Sequence, residues 1–286
     1  MTQLIAGQLL NGAIVGTLYG IVALGVTLTF GITGIVNFAL GVFMMLGAYA
    51  AWYFADTVGL PYPLAVLAAV GVTAAAGLAA DQALFRFTRN NLVNGLLVSL
   101  GLIAVLEACA LLVFTATPKE MHRVLPGIVM LGGLVLPKMK LVVFALLLTV
   151  IFATYAALTR TWTGRAAYAY AQNPEAAALM GVATARLQSG VVVYSCGLAG
   201  LGGALYAALY SLEPTLGSLF ILKAVEAAIL AGIGSVTGAL LGGVILGVTE
   251  GVGSIYLPLA FRDAYGLVFL VLILLFKPAG LFAGRR

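Results

Sequence analysis

Charged side chains are scarce in this chain of 286 residues, because Asp, Glu, Lys and Arg together make up only 8% of it. An average soluble domain has about 25%. The chain has one histidine, two cysteines and no Gly-Lys dipeptide. The missing dipeptide excludes a Walker A nucleotide-binding loop. No Ser-His-Asp set, catalytic carboxylate pair or metal-ligand cluster stands out among so few polar residues, so we expect no catalytic residues, no metal and no cofactor.

Apolar residues dominate instead: 63% of the chain is hydrophobic, 36 residues are glycine, and the mean hydropathy is +1.16. So much apolar surface cannot be buried in one core while so few charges face water. This excludes a soluble domain and a disordered chain, and frequent glycine suits close helix packing in lipid. The net charge of +5 comes from 14 basic residues spread over many loops. Membrane topology requires such loop charges, so we expect a polytopic membrane protein that does not bind nucleic acid.

The apolar runs predict where the chain crosses a membrane, since a hydrocarbon core of roughly 30 Å needs about 20 residues. The predicted spans are 5–30, 35–55, 62–85, 92–115, 140–159, 189–211 and 264–281. A further run, 219–257, is too long for one span and is interrupted by Gly232-Ile233-Gly234-Ser235, so it predicts a down-and-up pair. The expected fold class is an all-α polytopic membrane helical bundle with about eight or nine membrane segments, one or two of them broken or half-length. No linker divides the chain, so we expect one domain over residues 1–286.

Two polar insertions interrupt the apolar runs. Residues 116–139 contain three prolines and the Gly132-Gly133 pair, which predict a small β-hairpin on the membrane surface. Residues 160–188 form the second insertion. If this loop, residues 86–91 and the C-terminal tail are cytoplasmic, eight basic residues lie inside and six outside, a difference too small to orient the chain. The inside set is Arg86, Arg89, Arg160, Arg165, Arg186, Lys277, Arg285 and Arg286, and the outside set is Lys119, Arg123, Lys138, Lys140, Lys223 and Arg262.

The stretch from Asn173 to Gly181 has the features of a complete short helix. Asn173 is a favoured N-cap, Pro174 suits the first helical position, and Glu175 belongs in the first turn beside the positive end of the helix dipole. Gly181 can adopt the left-handed conformation that ends a helix. A helix of this length is marginal alone in water, so it is either a solvated connection or a segment that docks against another protein.

Two glycine-containing interruptions stand in the two halves of the chain: Gly31-Ile32-Thr33-Gly34 with Asn37, and Gly232 to Gly238 with Ser235 and Thr237. Paired breaks of this kind point to a translocation site between the halves. A helix starting near Ser235 would aim its free amides into such a cavity, which suits a carboxylate.

A structural role for these residues stays open beside the functional one. Glycines spaced by four also favour close helix packing, and this spacing occurs in Gly12-Gly16-Gly20, Gly234-Gly238-Gly242 and Gly243-Gly247-Gly251. The polar side chains of the two interruptions could equally well form bonds within the protein.

Ionisable residues inside apolar runs are costly in lipid and are candidates for function. Lys223 and Glu226 are three residues apart, so we expect a structural ion pair. For Glu107 we expect a partner on a neighbouring helix or at a subunit interface, and for Asp81 contact with Arg86 or water. His122 is a lone loop histidine and is not expected to bind metal.

Several blocks together resemble the LivH-type permeases of branched-chain amino acid importers. The first runs from Gly25 to Gly41 and includes Met45-Leu46-Gly47-Ala48-Tyr49 after it. The second runs from Gly164 to Gly181 and resembles the EAA-type coupling loop of ABC-importer permeases. The others are Lys223-Ala224 with Gly232 to Ala239 and Gly242-Gly243, and the closing Lys277-Pro278-Ala279-Gly280-Leu281-Phe282. They occur in family order along the whole chain. One departure is that Leu40 and Val42 stand where the family commonly has His and Glu.

The resemblance implies a multi-pass protein of the bacterial inner membrane with the loop at about 160–188 in the cytoplasm and the loop at about 116–139 outside it. The N-terminus would then be periplasmic and the C-terminus cytoplasmic. It also implies a second, related permease forming a heterodimer, two cytoplasmic ATPase subunits and a periplasmic binding protein. Coupling to the ATPases would involve Gly164, Arg165, Asn173, Glu175, Ala176, Ala177 and Gly181.

The function predicted from the sequence is therefore a non-enzymatic transport subunit, which moves branched-chain or related hydrophobic amino acids past membrane lipid at the cost of ATP hydrolysed by partner subunits. Thr33, Asn37, Ser235 and Thr237 are the candidate lining of the translocation path. Related importers carry urea, amides or aromatic acids, and a secondary transporter that works without ATP is a further alternative. A subunit that only anchors others would leave the interrupted helices without a purpose.

Overall fold

The computed structural model describes residues 2–88, 91–122, 125–131, 134–232, 234–256, 262–278 and 280–282. Outside these ranges lie parts of the predicted features: Arg89, Arg123, Gly132-Gly133, Ile233, Ala279, Arg285 and Arg286. The helices are α1 (Thr2–Leu28), α2 (Leu40–Trp52), α3 (Tyr62–Ala83), α4 (Leu92–Phe114), α5 (Lys138–Arg160), α6 (Trp162–Gln172), α7 (Pro174–Leu179), α8 (Thr184–Ala207), α9 (Leu216–Ala231), α10 (Val236–Tyr256) and α11 (Arg262–Phe276). The strands are β1 (Ile128–Leu131) and β2 (Leu134–Pro137).

The all-α membrane bundle is confirmed by the helices. Six of the described helical stretches are long and apolar enough to cross a membrane, and they include α1, α3, α4, α5, α8 and α10. The remaining apolar helices are shorter: α2 has 13 residues, α9 has 16 and α11 has 15. Both predicted interruptions are present, because residues 34–39 separate α1 from α2 and residues 232–235 separate α9 from α10.

The predicted boundaries need correction around the second polar insertion. We predicted a span at 189–211, but α8 begins at Thr184 and ends at Ala207. Residues 160–188 are mostly helical instead of a loop with one short helix, because α6 occupies Trp162–Gln172. The Thr161 hydroxyl starts α6 by accepting a hydrogen bond from the backbone N–H of Gly164 at 3.2 Å, which is ordinary N-cap chemistry.

The predicted hairpin in the first polar insertion is present. Strands β1 and β2 pair antiparallel, with Ile128 opposite Pro137. The insertion ends slightly earlier than predicted, because α5 begins at Lys138. Lys119 also pairs with Leu212 through two backbone hydrogen bonds of 2.8 and 3.0 Å. The insertion therefore lies on the same side of the bundle as the connection between α8 and α9.

Glycine surfaces hold the centre of the bundle together. A Cβ atom at Gly16 would lie 2.6 Å from the carbonyl oxygen of Gly243, so α1 and α10 pack with their backbones in contact. Gly12 faces Gly247 in the same way, and Gly20 faces Leu240. The predicted packing role of these spaced glycines is confirmed for this pair of helices, whose close approach only small residues allow.

Helix α2 is buried on nearly every side by α8, α3 and α9. Gly41 of α2 touches Gly217 of α9, and Gly47 touches Gly200 of α8. Leu40 and Val42, which depart from the family pattern, are both fully buried in this helix. By contrast, α4 and α5 are mostly exposed along apolar faces, and these faces are therefore available to lipid or to a second subunit.

Candidate functional site

The first interruption follows α1, which changes to a π-helical turn at Thr29–Thr33. Gly34 then adopts φ +70°, and its backbone N–H donates to the Phe30 carbonyl oxygen at 3.0 Å. The Thr33 hydroxyl donates to the Thr29 carbonyl oxygen at 2.5 Å. Such π turns often occur at functional sites. Here the π turn ends α1, since no proline is present to end it.

Asn37 connects this interruption to α2. Its Oδ1 atom accepts a hydrogen bond from the backbone N–H of Ala39 at 3.0 Å, which is an Asx turn that leads into the helix. The side chain is buried, yet its Nδ2 atom has no hydrogen-bond partner among the described residues. Three further buried hydroxyls, of Thr27, Tyr49 and Ser195, share this property in the described part of the chain. Unpartnered buried polar atoms are rare in proteins, so a water or a solute is expected beside the amide of Asn37.

The second interruption separates α9 from α10. Gly232 and Gly234 have φ values of +94° and +99°, which only glycine adopts without strain. The Ser235 hydroxyl caps α10 by accepting from the backbone N–H of Gly238 at 3.0 Å. Thr237 is exposed in the first turn of α10.

The end of α9 is closed by the C-terminal tail of the chain. The backbone N–H of Leu281 donates to the Leu230 carbonyl oxygen, and that of Phe282 donates to the Ala231 carbonyl oxygen, both at 2.9 Å. The last carbonyl groups of a helix have no partner inside it. The tail supplies that partner here, a role that nothing in the local sequence of α9 predicts.

The two interruptions meet in the folded chain. A Cβ atom at Gly31 would lie 3.1 Å from the Cα atom of Gly234. The chain thus brings the residues proposed from the first half, Thr33 and Asn37, to the same region as Ser235 from the second half. Thr33, Asn37 and Ser235 each form a hydrogen bond within the protein.

The short helix predicted in the second polar insertion is α7, and its local chemistry is as expected. Asn173 caps it by accepting from the backbone N–H of Ala176 at 3.0 Å, and Pro174 is its first residue. Gly181 has φ +88° just beyond its end. Glu175 is exposed in the first turn.

The remaining residues proposed for coupling divide between packing and exposure. Ala177 is buried on the inner face of α7, whereas Ala176 is exposed. Gly164 is buried at the α5–α6 corner, where a Cβ atom would collide with the Leu158 backbone. Arg165 is exposed on α6.

The tip of α7 is apolar and exposed. Leu179 is 89% exposed and Met180 is 85% exposed. Beside α7, a polar cavity of about 400 Å³ is lined by residues that include Arg86, Glu175 and Gln188. An exposed apolar tip next to a charged cavity is the composition expected of a docking surface for a protein.

A buried ionic cluster lies among α1, α9 and α10. Lys223 Nζ is 3.6 Å from Glu226 Oε2, so the predicted ion pair is confirmed. The same ammonium group is 2.9 Å from Glu250 Oε1, and the Tyr19 hydroxyl donates to Glu250 Oε2 at 3.0 Å. Sequence reasoning missed Glu250, although an acidic residue inside the apolar run 219–257 was a signal for it.

The other isolated acids also have partners. The Ser218 hydroxyl on α9 donates to Glu107, so the expected neighbouring-helix partner of Glu107 is confirmed. Ser189 on α8 donates to Asp81, a partner that we did not predict. His122 contacts Asp56 at 3.3 Å. No group of three potential metal ligands occurs among the described residues.

Comparison with known proteins gives matches along nearly the whole chain. A family model described as the permease component of the branched-chain amino acid transport system matches residues 8–277. The high-affinity branched-chain amino acid transport system permease protein BraD of Pseudomonas aeruginosa is 32% identical over 289 residues, covering 96% of this chain and 94% of BraD. The corresponding LivH proteins of Salmonella typhimurium and Escherichia coli are 30% and 29% identical, each with 96% of this chain and 94% of the relative covered. No solved structure matches the chain significantly.

Proposed function

The chain belongs to the family of permease components of branched-chain amino acid transport systems, and from this premise we propose that it carries branched-chain or related hydrophobic amino acids through the bacterial inner membrane. It is a transport subunit, and ATP hydrolysis on two partner ATPases would drive it. A periplasmic binding protein would deliver the amino acid, and a second, related permease would complete the path as a heterodimer.

The observation that carries this proposal is the meeting of the two interrupted helices at Gly31 and Gly234. Backbone without helical hydrogen bonds is tolerated at membrane depth only where it lines protein or a water-filled cavity. We therefore place the path here, with Thr33, Asn37, Ser235 and Thr237 along it. The amides at the start of α10 would bind the carboxylate of the amino acid, since a helix N-terminus attracts anions.

In the proposed topology the loop at about 160–188 is cytoplasmic, the N-terminus is periplasmic and the C-terminus is cytoplasmic. The shorter helices α2, α9 and α11 would add to the six long helical stretches, giving nine membrane segments. Helix α9 would cover only part of the membrane thickness, because it has 16 residues and ends at an interruption. Helix α2 continues into a π-helical turn at Tyr53–Thr57 and would reach further across.

Coupling to the ATPases would occur at α7. Its exposed tip, Leu179 and Met180, would insert into the ATPase surface, and Glu175 would contact that surface from the first turn. Movement of α7 would pass to α8 through Ala177, whose carbonyl oxygen accepts from the backbone N–H of Val182 at 3.1 Å. Gly164 and Arg165 would transmit the same movement to α5.

Glu175→Arg tests the coupling role. Reversing the charge of this exposed residue opposes docking and costs the helix only about 0.3–1 kcal/mol at its positive end. We therefore expect a loss of at least about tenfold in ATP hydrolysis stimulated by amino acid and binding protein, in line with the coupling energies of about 1–3 kcal/mol typical between sites. The measurement is ATPase activity of the reconstituted importer. Glu120→Arg, an equally exposed acid in the other polar insertion, is the matched control, and wild-type stimulation in Glu175→Arg would contradict the assignment.

A further inference from the structure

An apolar groove opens beside the coupling region. It has a volume of about 590 Å³ and lies between the end of α1, the ends of α5 and α8 that meet the 160–188 insertion, and the first turn of α6. Its position at the junction of three long apolar helices and a polar insertion places it at the membrane surface. We call it the junction groove.

The walls of the junction groove suit a hydrocarbon chain. Leu28, Ile32, Leu158 and Val191 line it. Its polar groups are already engaged, because Thr154 and Tyr194 form a 2.6 Å hydrogen bond with each other. A polar solute would therefore find few hydrogen-bond partners inside the groove, whereas an apolar chain would leave none of these groups without one.

The rim of the groove is basic. Arg186 lines it and is exposed, and Arg160 and Arg165 flank the lining residues 161–164. Among the described residues, no aspartate or glutamate lines the groove, and no carboxylate forms a salt bridge with these three arginines. Trp162 also lines it and is 74% exposed, as is typical of residues at the level of lipid headgroups.

We propose that the junction groove binds an anionic phospholipid of the leaflet next to the 160–188 insertion, with one acyl chain against Leu28 and Ile32 and the phosphate at Arg186. Basic pockets between membrane helices on the cytoplasmic side bind anionic headgroups in this way. The lipid would fill the space between α5 and α8, the two helices joined by the coupling region. The proposal does not depend on which amino acid is transported.

Gly190 makes the groove testable, because it lines the groove and a Cβ atom there has no atom within 4 Å. Gly190→Phe therefore fills the groove without disturbing the backbone. Gly101→Phe on α4 is the matched control, since Gly101 is also an exposed helical glycine with no atom within 4 Å of its added Cβ and lies outside the groove.

The experiment uses the assembled importer in nanodiscs of phosphatidylcholine and phosphatidylglycerol. Native mass spectrometry of the complex released from the nanodiscs identifies and counts the lipids that stay bound. We expect wild type and Gly101→Phe to retain phosphatidylglycerol in preference to phosphatidylcholine, and Gly190→Phe to lose this lipid. Arg186→Gln should lower phosphatidylglycerol retention about fivefold, the effect expected for one arginine near an anionic headgroup, and leave phosphatidylcholine unchanged.

Three results would overturn the proposal. The first is unchanged phosphatidylglycerol retention in Gly190→Phe, and the second is an equal loss of both lipids in Arg186→Gln. The third is a failure of Gly190→Phe, but not Gly101→Phe, to assemble with the ATPases or the second permease, because the groove would then be a subunit interface. The first two results leave amino acid transport by the path between the interruptions unchanged, so the two proposals fail separately.

Discussion

The two interrupted helices reach the same place by different means. The first interruption closes itself, because Gly34 and Thr33 bond within the preceding turn and Asn37 bonds to the start of α2. The second interruption depends on a distant segment, because Leu281 and Phe282 satisfy the end of α9. An interruption stabilised by local bonds can be predicted from its own residues. An interruption stabilised by the C-terminal tail can be destabilised by changing the tail alone, with no substitution in the interruption itself.

Removing the tail should reduce amino acid uptake more than any other change to the two interruptions. A chain ending at Lys277 leaves the buried carbonyl groups of Leu230 and Ala231 without donors, at a cost of about 1–3 kcal/mol each. We expect uptake of amino acid into vesicles to fall more than about tenfold, because a few kcal/mol changes an equilibrium by at least that factor. Thermal unfolding of the complex should shift downward in the same variant.

A chain ending at Phe282 is the control for this truncation and should transport normally. A point variant tests whether the tail must pack against the end of α9 or need only be present in the chain. Gly280 has φ +91°, and a Cβ atom there would lie 2.5 Å from Gly232 Cα. Gly280→Val should therefore reproduce the truncation. Full uptake by the chain ending at Lys277 would show that the second interruption, like the first, is stable without bonds to a distant segment.

Asn37 tests the first interruption with two variants. Asn37→Ala removes the Asx turn and the unpartnered amide together, whereas Asn37→Asp keeps the acceptor for Ala39 and replaces the amide with a negative charge. We expect both to lower uptake about tenfold and both to lower the stability: Asn37→Ala by about 1 kcal/mol through the lost hydrogen bond, and Asn37→Asp by more, because an unpaired charge is costly at a buried position. The measurements are vesicle uptake and thermal unfolding, and an Asn37→Asp variant with normal uptake would assign Asn37 to structure alone.

Ser235 should have a smaller effect, since it caps a long helix that the glycine contacts with α1 also hold. Ser235→Ala loses the bond to Gly238, which costs about 0.5–2 kcal/mol for an N-cap. We expect a severalfold reduction in uptake. Ser235→Thr keeps the hydroxyl and should restore most of it, so equal losses in both variants would contradict the capping role.

Thr237 should give the smallest effect, and one of a different kind. Thr237→Val keeps the shape and removes an exposed hydroxyl that has no structural bond in the described chain. Surface changes of this type alter stability by less than about 0.5 kcal/mol, so we expect unchanged unfolding and a modest loss of uptake for amino acid at low concentration. Uptake identical to wild type at all concentrations would remove Thr237 from the path.

Much of this architecture was predictable where the signal is local. Both interruptions, the hairpin and the caps of α7 follow from glycine, asparagine and proline, the residues that typically end helices and form turns. The packing of Gly12-Gly16-Gly20 follows from spacing, although its partner on α10 does not. The ion pair of Lys223 with Glu226 is one helical turn apart and could be read directly.

The rest depends on contacts between residues far apart in the chain. Helix α6 was missed because its sequence, WTGRAAYAYAQ, mixes polar and apolar residues and has no long apolar run. The π turn at Thr29–Thr33 was missed because no residue type is characteristic of such a turn. The roles of Glu250 and of the tail become visible only when α9, α10 and the C-terminus are brought together. Nothing in the sequence indicates that the hydroxyls of Thr27 and Ser195 lack hydrogen-bond partners, because a single polar residue in an apolar run looks the same whether or not it is paired.

The glycine contact between α1 and α10 has a consequence for how the protein is made. Tyr19 on α1 and Glu250 on α10 are hydrogen-bonded but 231 residues apart in the chain. At about 5–20 residues per second of synthesis, α1 leaves the ribosome roughly 10–45 s before α10 is complete. During that interval the first helix stands in the bilayer with its glycine face uncovered. The bundle can therefore be completed only when the last quarter of the chain has been synthesised, because α1 packs mainly against α10.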